Sequence, residues 1–250
     1  MRSVTTALQV LEAVAVNQPV GLSALTRTLG LPKTTVQRSL ATLAESGWIE
    51  QQAGTGRWQV GVRAFVVGSA VGARGGLHSA ALPTMRDLGS EVGETVHLMV
   101  PAGREVVLVE RVDSPQPVRA VAPLGARGPL HATSNGKAVL AALPQEDVDA
   151  YIAGGLPAVT PHTITDPDRL RAELRAITEA GFSVCREELE EGVVSVGAAV
   201  HPGHGQPVAS LSISGPKSRM SPELLTPYGE KVRLAAEAIA FALPVGADVP

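Results

Sequence analysis

A chain of 250 residues, 44% hydrophobic and 18% charged, can bury one large core or two ordinary ones, and wholesale disorder is excluded. One cysteine, Cys185, excludes an intrachain disulfide framework and any cysteine-cluster zinc site. The net charge of −3 is unevenly spread: residues 1–72 hold six Lys and Arg against three acids, the remainder fifteen against twenty-one, so the front attracts polyanions and the back does not.

Val4, Leu8, Leu11, Val14 and Ala15 recur at helical spacing and predict a first helix, closed by Asn17-Gln18-Pro19. Leu22, Leu25 and Leu29 form the inner stripe of a second helix. Gly30 ends it, because a C-terminal cap needs a left-handed backbone. Pro32 opens a third helix, residues 33–46, with Val36, Leu40 and Leu43 inward. Its outer face carries Thr34, Arg38 and Ala41, flanked by Thr35, Gln37 and Thr42, with Lys33 at the amino end. Donors and acceptors for base edges, with cations for phosphates, are what a helix in a DNA major groove requires. Alone, the pattern equally fits a helical hairpin with a solvated polar face. The continuation favours the first reading: residues 48–51 and 57–60 predict two short strands around the turn Ala53-Gly54-Thr55-Gly56. Helix, turn, helix and a two-stranded wing that bears Arg57 make a winged helix-turn-helix.

The string LPKTTVQRSLATLAESGWIE, preceded by VTTALQVLEAVA, resembles the N-terminal domain of the IclR family of bacterial transcriptional regulators. The segment that follows, VRAFVVGSAVGA, predicts a helix rich in small residues that allow close helix approach. The resemblance implies that it links two domains and helps pair the DNA-binding domains of a dimer. A buried helix of the monomer is the other reading. Arg74-Gly75-Gly76 reads as a hinge.

Helical spacing returns over residues 77–92, with Leu82, Met85 and Leu88 recurring. Strands are predicted at 95–100 and 105–112 around Pro101-Ala102-Gly103, with a third at 118–122. Helices follow at 134–143, 145–153 and 167–180, the last capped by Asp166 and ended by Gly181. Strands at 182–187, 195–201 and 207–214 precede a final helix from Ser221-Pro222-Glu223 to Leu243. This order predicts an α+β fold, a mixed domain with an antiparallel-rich sheet covered by helices. LHATSNGKAVLAALP and GFSVCREELEEGVVSVGAAVHPG also resemble the IclR family, whose effector domain is GAF-like. Two positions depart from the family: Cys185 stands where Asp or Ser is usual, and Pro202 where Asp or Asn is.

Asn135-Gly136-Lys137 is no phosphate loop, since His131 and Ala138 replace the required Gly and hydroxyl residue. It reads instead as a helix N-terminus whose free N–H groups meet either a ligand or the hydroxyl of Ser134. The family resemblance implies an effector pocket lined by Ser134, Asn135, Cys185, Val193, Ser195, Ser212 and Ser214. Such a small, polar, largely uncharged set suits a compact organic acid or another small metabolite held by hydrogen bonds. Cys185 reads as packed, residues 187–191 as an exposed loop or pocket lid, and His201-Pro202-Gly203-His204 as a solvated turn. No catalytic residue, metal ligand or cofactor is indicated.

The resulting expectation is a ligand-responsive transcriptional regulator. Residues 1–60 would be a winged helix-turn-helix, 61–76 a linker helix and hinge, and 77–250 a GAF-like effector-binding domain. Its partners would be double-stranded operator DNA, a small-molecule effector and further copies of itself, as homodimer or homotetramer. Lys33, Thr34, Thr35, Gln37, Arg38 and Arg57 would meet DNA. No run, including those at 62–73 and 234–245, spans a bilayer, and no leader pattern opens the chain, so a cytoplasmic protein without a membrane partner is expected. Two rivals stand: an enzyme with a C-terminal Cys- or Ser-dependent hydrolase domain and a nucleic-acid tether, and an architectural DNA binder blind to ligands.

Overall fold

A computed structural model describes residues 2–73, 76–202 and 205–243. Two compact units divide the chain, Met1–Ala73 and Arg74–Pro250.

In the first unit, α1 (Arg2–Asn17), α2 (Leu22–Leu29) and α3 (Lys33–Glu45) precede the hairpin of β1 (Ile49–Gln51) and β2 (Trp58–Val60), and α4 (Val62–Ala73) follows. Val10, Val14, Leu25, Val36, Leu40, Leu43 and Ile49 form its core, with Trp48 and Trp58 against it. Gly30 takes the left-handed conformation that ends α2. The α1 stripe is rotated from expectation. Val10, Ala13 and Val14 are buried, whereas Val4, Leu8 and Ala15 are exposed, because the arc that meets α2 and α3 is centred on Val10. Val20 exchanges two backbone hydrogen bonds with Trp58, at 3.0 and 2.8 Å, and so ties the wing to the α1–α2 connection. Behind the wing, a Cβ on Gly61 would lie 2.5 Å from the Gly47 carbonyl oxygen. There Arg63 donates to the carbonyl of Ser46, the last cap of α3, at 2.7 Å.

The second unit is α+β. Its helices are α5 (Leu77–Val92), α6 (Ser134–Ala141), α7 (Gln145–Ala153), α8 (Pro167–Ala180) and α9 (Pro222–Ala242). Its strands are β3 (Thr95–Ala102), β4 (Glu105–Val112), β5 (Arg127–Pro129), β6 (Ser183–Arg186), β7 (Val193–Val200) and β8 (Ala209–Pro216). They form one antiparallel sheet in the order β5-β4-β3-β8-β7-β6. Side chains alternate across it. Val96, Leu98, Val194, Val196, Leu211 and Ile213 pack on one face with Met85 and Leu88 of α5 and Val232 and Ile239 of α9. On α5 the inner stripe is Leu77, Ala81, Met85 and Leu88, with Leu82 only half-buried. The opposite face bears His97, Met99, Ser195, Gly197, Ser210, Ser212 and Ser214, and lies under α6.

The expected strand at 118–122 is absent: this stretch is irregular. β5 occupies the edge of β4, pairing Glu105–Val107 with Arg127–Pro129. The carbonyls of 118–122 are met by side chains instead of a ladder. Thr95 Oγ1 donates to Ala120 O at 3.1 Å, and the Arg111 guanidinium donates to Ala122 O.

Candidate functional site

Two surfaces match the residues singled out from the sequence. On α3, burial of Val36, Leu40 and Leu43 turns Lys33, Thr34, Gln37 and Arg38 to solvent, with Thr35 half-buried beside them. Arg57 is exposed at the loop end of the wing, just before β2. None of these six side chains hydrogen-bonds another described residue, so their donors and acceptors are unspent. The helix itself is fixed by its inner face and by the turn at Pro32, whose carbonyl accepts from Thr35 and Val36 at 2.9 and 3.1 Å.

The second surface is a cavity of about 110 Å³ between the serine-bearing face of the sheet and the first turn of α6. Two glycines allow that turn to sit so low. A Cβ on Gly197 would lie 2.9 Å from the Ser134 carbonyl carbon and 3.1 Å from the Asn135 nitrogen; one on Gly136 would lie 2.4 Å from Leu130 backbone. Thr133, not Ser134, caps the helix, its Oγ1 accepting from Gly136 N at 2.9 Å. That frees Ser134 Oγ to donate to Ser195 Oγ at 2.8 Å, while Asn135 Nδ2 donates to Ser210 Oγ at 3.2 Å. The N–H groups of Ser134 and Asn135 belong to the first turn, where the helix itself supplies no acceptor.

Ser134, Asn135, Cys185, Val193, Ser195 and Ser214 all line the cavity. Ser212 does not: it is fully buried in the sheet, and its hydroxyl has no partner. Sequence reasoning missed the far wall, His97, Met99 and Leu108, and Ala120–Ala122 of the roof, which Leu189 and Glu190 of the 187–191 run complete. A histidine amid the apolar run TVHLMV was the available signal.

Burial, followed by the positive charge of Arg111, depresses the His97 pKa to about 4, so this imidazole is neutral near pH 7. Burial, followed by the Glu188 carboxylate, pushes the Cys185 thiol up to about 11, and its Sγ donates to Ala132 O at 3.4 Å. A protonated, buried thiol is a poor nucleophile.

Of residues 187–191, expected as an exposed loop or pocket lid, Leu189 and Glu190 line the cavity as a lid does, while Glu188 departs from an exposed loop. It is buried, and its Oε1 accepts from Lys137 Nζ at 2.7 Å. Lys137, fully buried in α6, also donates to Val184 O at 2.7 Å and Glu173 Oε1 at 3.0 Å. Thr160 and Thr163 hydroxyls donate to the carbonyls of Glu187 and Glu188, each at 2.7 Å. The segment that brings Leu189 and Glu190 over the cavity is therefore pinned from beneath.

Parts of the expected hinge at 74–76, the turn at 201–204 and the apolar run at 234–245 lie outside the described residues. Among the described residues, no group of three or more His, Cys, Asp or Glu is placed to hold a metal ion, and no helix is long and apolar enough to cross a membrane.

Comparison with known proteins agrees with this architecture. Residues 3–53 match the model of the IclR helix-turn-helix domain, and residues 70–241 that of the bacterial transcriptional regulator IclR C-terminal domain. The chain is 34% identical over 246 residues to the transcriptional repressor IclR of Escherichia coli strain K12, covering 97% of this chain and 90% of that one. It is 38% identical over 223 residues to the HTH-type transcriptional repressor AllR of Klebsiella pneumoniae, covering 89% and 82%. Its fold superimposes on an IclR homolog of Microbacterium hydrocarbonoxydans, crystallised as a complex with 4-hydroxybenzoate, with a TM-score of 0.83, 27% identity and coverage of 96% and 98%. With a helix-turn-helix and wing in its N-terminal unit, an α+β C-terminal unit, and matches over almost its whole length, the chain is a member of the IclR family of bacterial transcriptional regulators.

Proposed function

We propose that this regulator reads operator DNA through α3 and the wing, and is switched by a small organic acid bound in the cavity of its second unit. Residues 1–60 form the reading domain, 61–76 the linker and hinge, and 77–250 the effector-binding domain. Thr34, Thr35, Gln37 and Arg38 meet base edges, while Lys33 and Arg57 meet phosphates or the adjacent minor groove. One module of this size makes few contacts, so two copies bind a palindromic site. The exposed Val62, Phe65, Val66 and Val67 of α4 support self-association as a homodimer, itself able to pair into a homotetramer. The protein acts in the cytoplasm by binding and not by catalysis.

The observation that carries the effector reading is the cavity's placement at the first turn of α6. There the backbone N–H groups of Ser134 and Asn135 and the helix dipole favour an anion, beside the Ser134 and Ser195 hydroxyls. Cys185, Val193 and Ser214 complete the wall around that end. The 4-hydroxybenzoate complex of the Microbacterium homolog supports a carboxylate as the recognised group. Occupancy would favour one of two arrangements of the paired reading domains.

The test is binding to a duplex from the promoter region beside the protein's own coding sequence, followed across a salt series and with short carboxylates added. Submicromolar, competitor-resistant binding that weakens steeply with salt, and changes when a carboxylate is added, is the expected result. Equal, weak binding to unrelated DNA under every condition overturns the reading.

A further inference from the structure

Gly197 on β7, Ser212 on β8 and His97 on β3 are successive register partners, so they lie in one line across the sheet. The first turn of α6 rests on Gly197 at one end of this line. At the other end His97 lines the cavity, keeps 9% of its surface, and has no partner for Nε2 among the described residues. Between them the Ser212 hydroxyl is equally unpartnered. Buried polar groups without partners are destabilising and few in native proteins. Of the two, His97 lines the cavity, so its Nε2 is the atom that a ligand oxygen would meet, with Ser212 on the neighbouring strand.

The neighbouring charges say what kind of atom it is. Arg111, next to His97, is engaged by Asp113 at 3.0 Å. Arg127, the cation that lines the cavity among the described residues, is paired with Glu105 at 2.7 Å. Glu190 adds negative charge to the roof. A neutral imidazole offers one donor and one acceptor, which suits a hydroxyl or carbonyl oxygen and not a second carboxylate.

Size narrows the choice further. A cavity of roughly 150 Å³ is known to hold benzene, and this one is about 110 Å³. So small a space is short of what an aromatic ring bearing a carboxylate needs and suits a chain of about three or four carbons.

We propose that His97, backed by Ser212, is the specificity determinant of this cavity, selecting a short aliphatic monocarboxylate with a hydroxyl or carbonyl oxygen at its far end. This rests on the effector reading above, in which the carboxylate lies at the first turn of α6. His97 then discriminates against both the unsubstituted acid, which leaves the buried groups unpaired, and the dicarboxylate, which brings an uncompensated charge to them.

Calorimetric titration of the full chain with two matched sets tests this: propionate, 3-hydroxypropionate and malonate, then butyrate, 4-hydroxybutyrate and succinate. In one set at least, the hydroxy acid should bind about tenfold tighter than the plain acid, with the dicarboxylate weakest. His97→Phe should reduce that preference to near unity, and a cooperative urea unfolding transition like the native chain's shows that the variant is folded. His97→Leu carries the same test if the phenylalanine variant does not fold. Plain and hydroxy acids binding the native chain equally, or a preference that survives both substitutions, would overturn the role of His97 and leave the effector reading standing. No binding of any of the six acids would overturn both.

Discussion

Lys137 Nζ lies 2.7 Å from Glu188 Oε1, and this buried pair joins α6, whose first turn floors one end of the cavity, to the segment that roofs it. Burial disfavours the ammonium, but the Glu188 carboxylate, aided by Glu173, outweighs it, so the lysine pKa stands above its ordinary value. Removing one partner of such a pair leaves an uncompensated buried charge. Lys137→Met should therefore cost on the order of 3–5 kcal/mol, and adding Glu188→Leu should recover most of the loss. Because the folded pKa is raised, the lysine's contribution is complete below its unfolded value of 10.5 and is lost only as pH climbs through the folded one. Denaturant unfolding of the single and double variants at pH 7 checks this; a single variant as stable as the native chain would refute it.

Gly197→Ala tests the docking of α6. The added methyl would meet the Ser134 and Asn135 backbone at 2.9–3.1 Å, and helix backbone cannot rotate aside as a side chain can. A loss of about 1–3 kcal/mol in the second unit is expected. Effector response should disappear with it, while an isolated operator half-site, read by the first unit, is bound as before. Retention of the native effector affinity would show that α6 does not need this contact.

How much of this was legible beforehand follows from the range of the interactions involved. Gly30, the Asp166 cap, and the inner stripes of α2 and α3 are local: turn chemistry and helical period determine them, and they read correctly. Six of the seven residues expected at the cavity line it, but that set came from resemblance to a family and not from periodicity. The misses are long-range. Glu188 sits in an acidic run that looks solvated until Lys137, fifty-one positions earlier, is folded against it. Residues 118–122 have strand-forming side chains, yet β5 takes the edge they would need. His97 becomes a cavity residue only when β3 pairs with β8.

The Arg38 side chain stands outward from α3 with no partner among the described residues. Replacing it by alanine should weaken specific operator binding by roughly 1–3 kcal/mol and relax the preference at the base it contacts. Lys33→Ala and Arg57→Ala should act differently. Loss of a phosphate contact weakens binding on all sequences alike and lowers the salt slope by about one. Anisotropy titrations on cognate and scrambled duplexes at several salt concentrations separate the two effects. An unchanged operator affinity in the Arg38 variant would remove it from the reading surface.

The neutral state of His97 has a consequence for acid stability. Its folded pKa, about 4, lies below the ordinary 6.5 because burial, and then Arg111, disfavour the imidazolium. Between those values the unfolded chain binds the proton and the folded chain does not, so stability rises with pH across this window. The contribution is complete above pH 6.5 and is lost as pH falls towards 4, by up to about 3 kcal/mol. In His97→Phe there is nothing to protonate. The stability difference between native and variant chains should therefore shift steadily in the variant's favour as pH falls from 6.5 to 4, then level off below. Urea denaturation of both chains at half-unit intervals measures this difference directly, and the other titrating groups, common to both, cancel. A difference independent of pH would mean that His97 is solvated and protonates as freely in the folded chain as in the unfolded one, and it could not then be the neutral partner of a ligand oxygen.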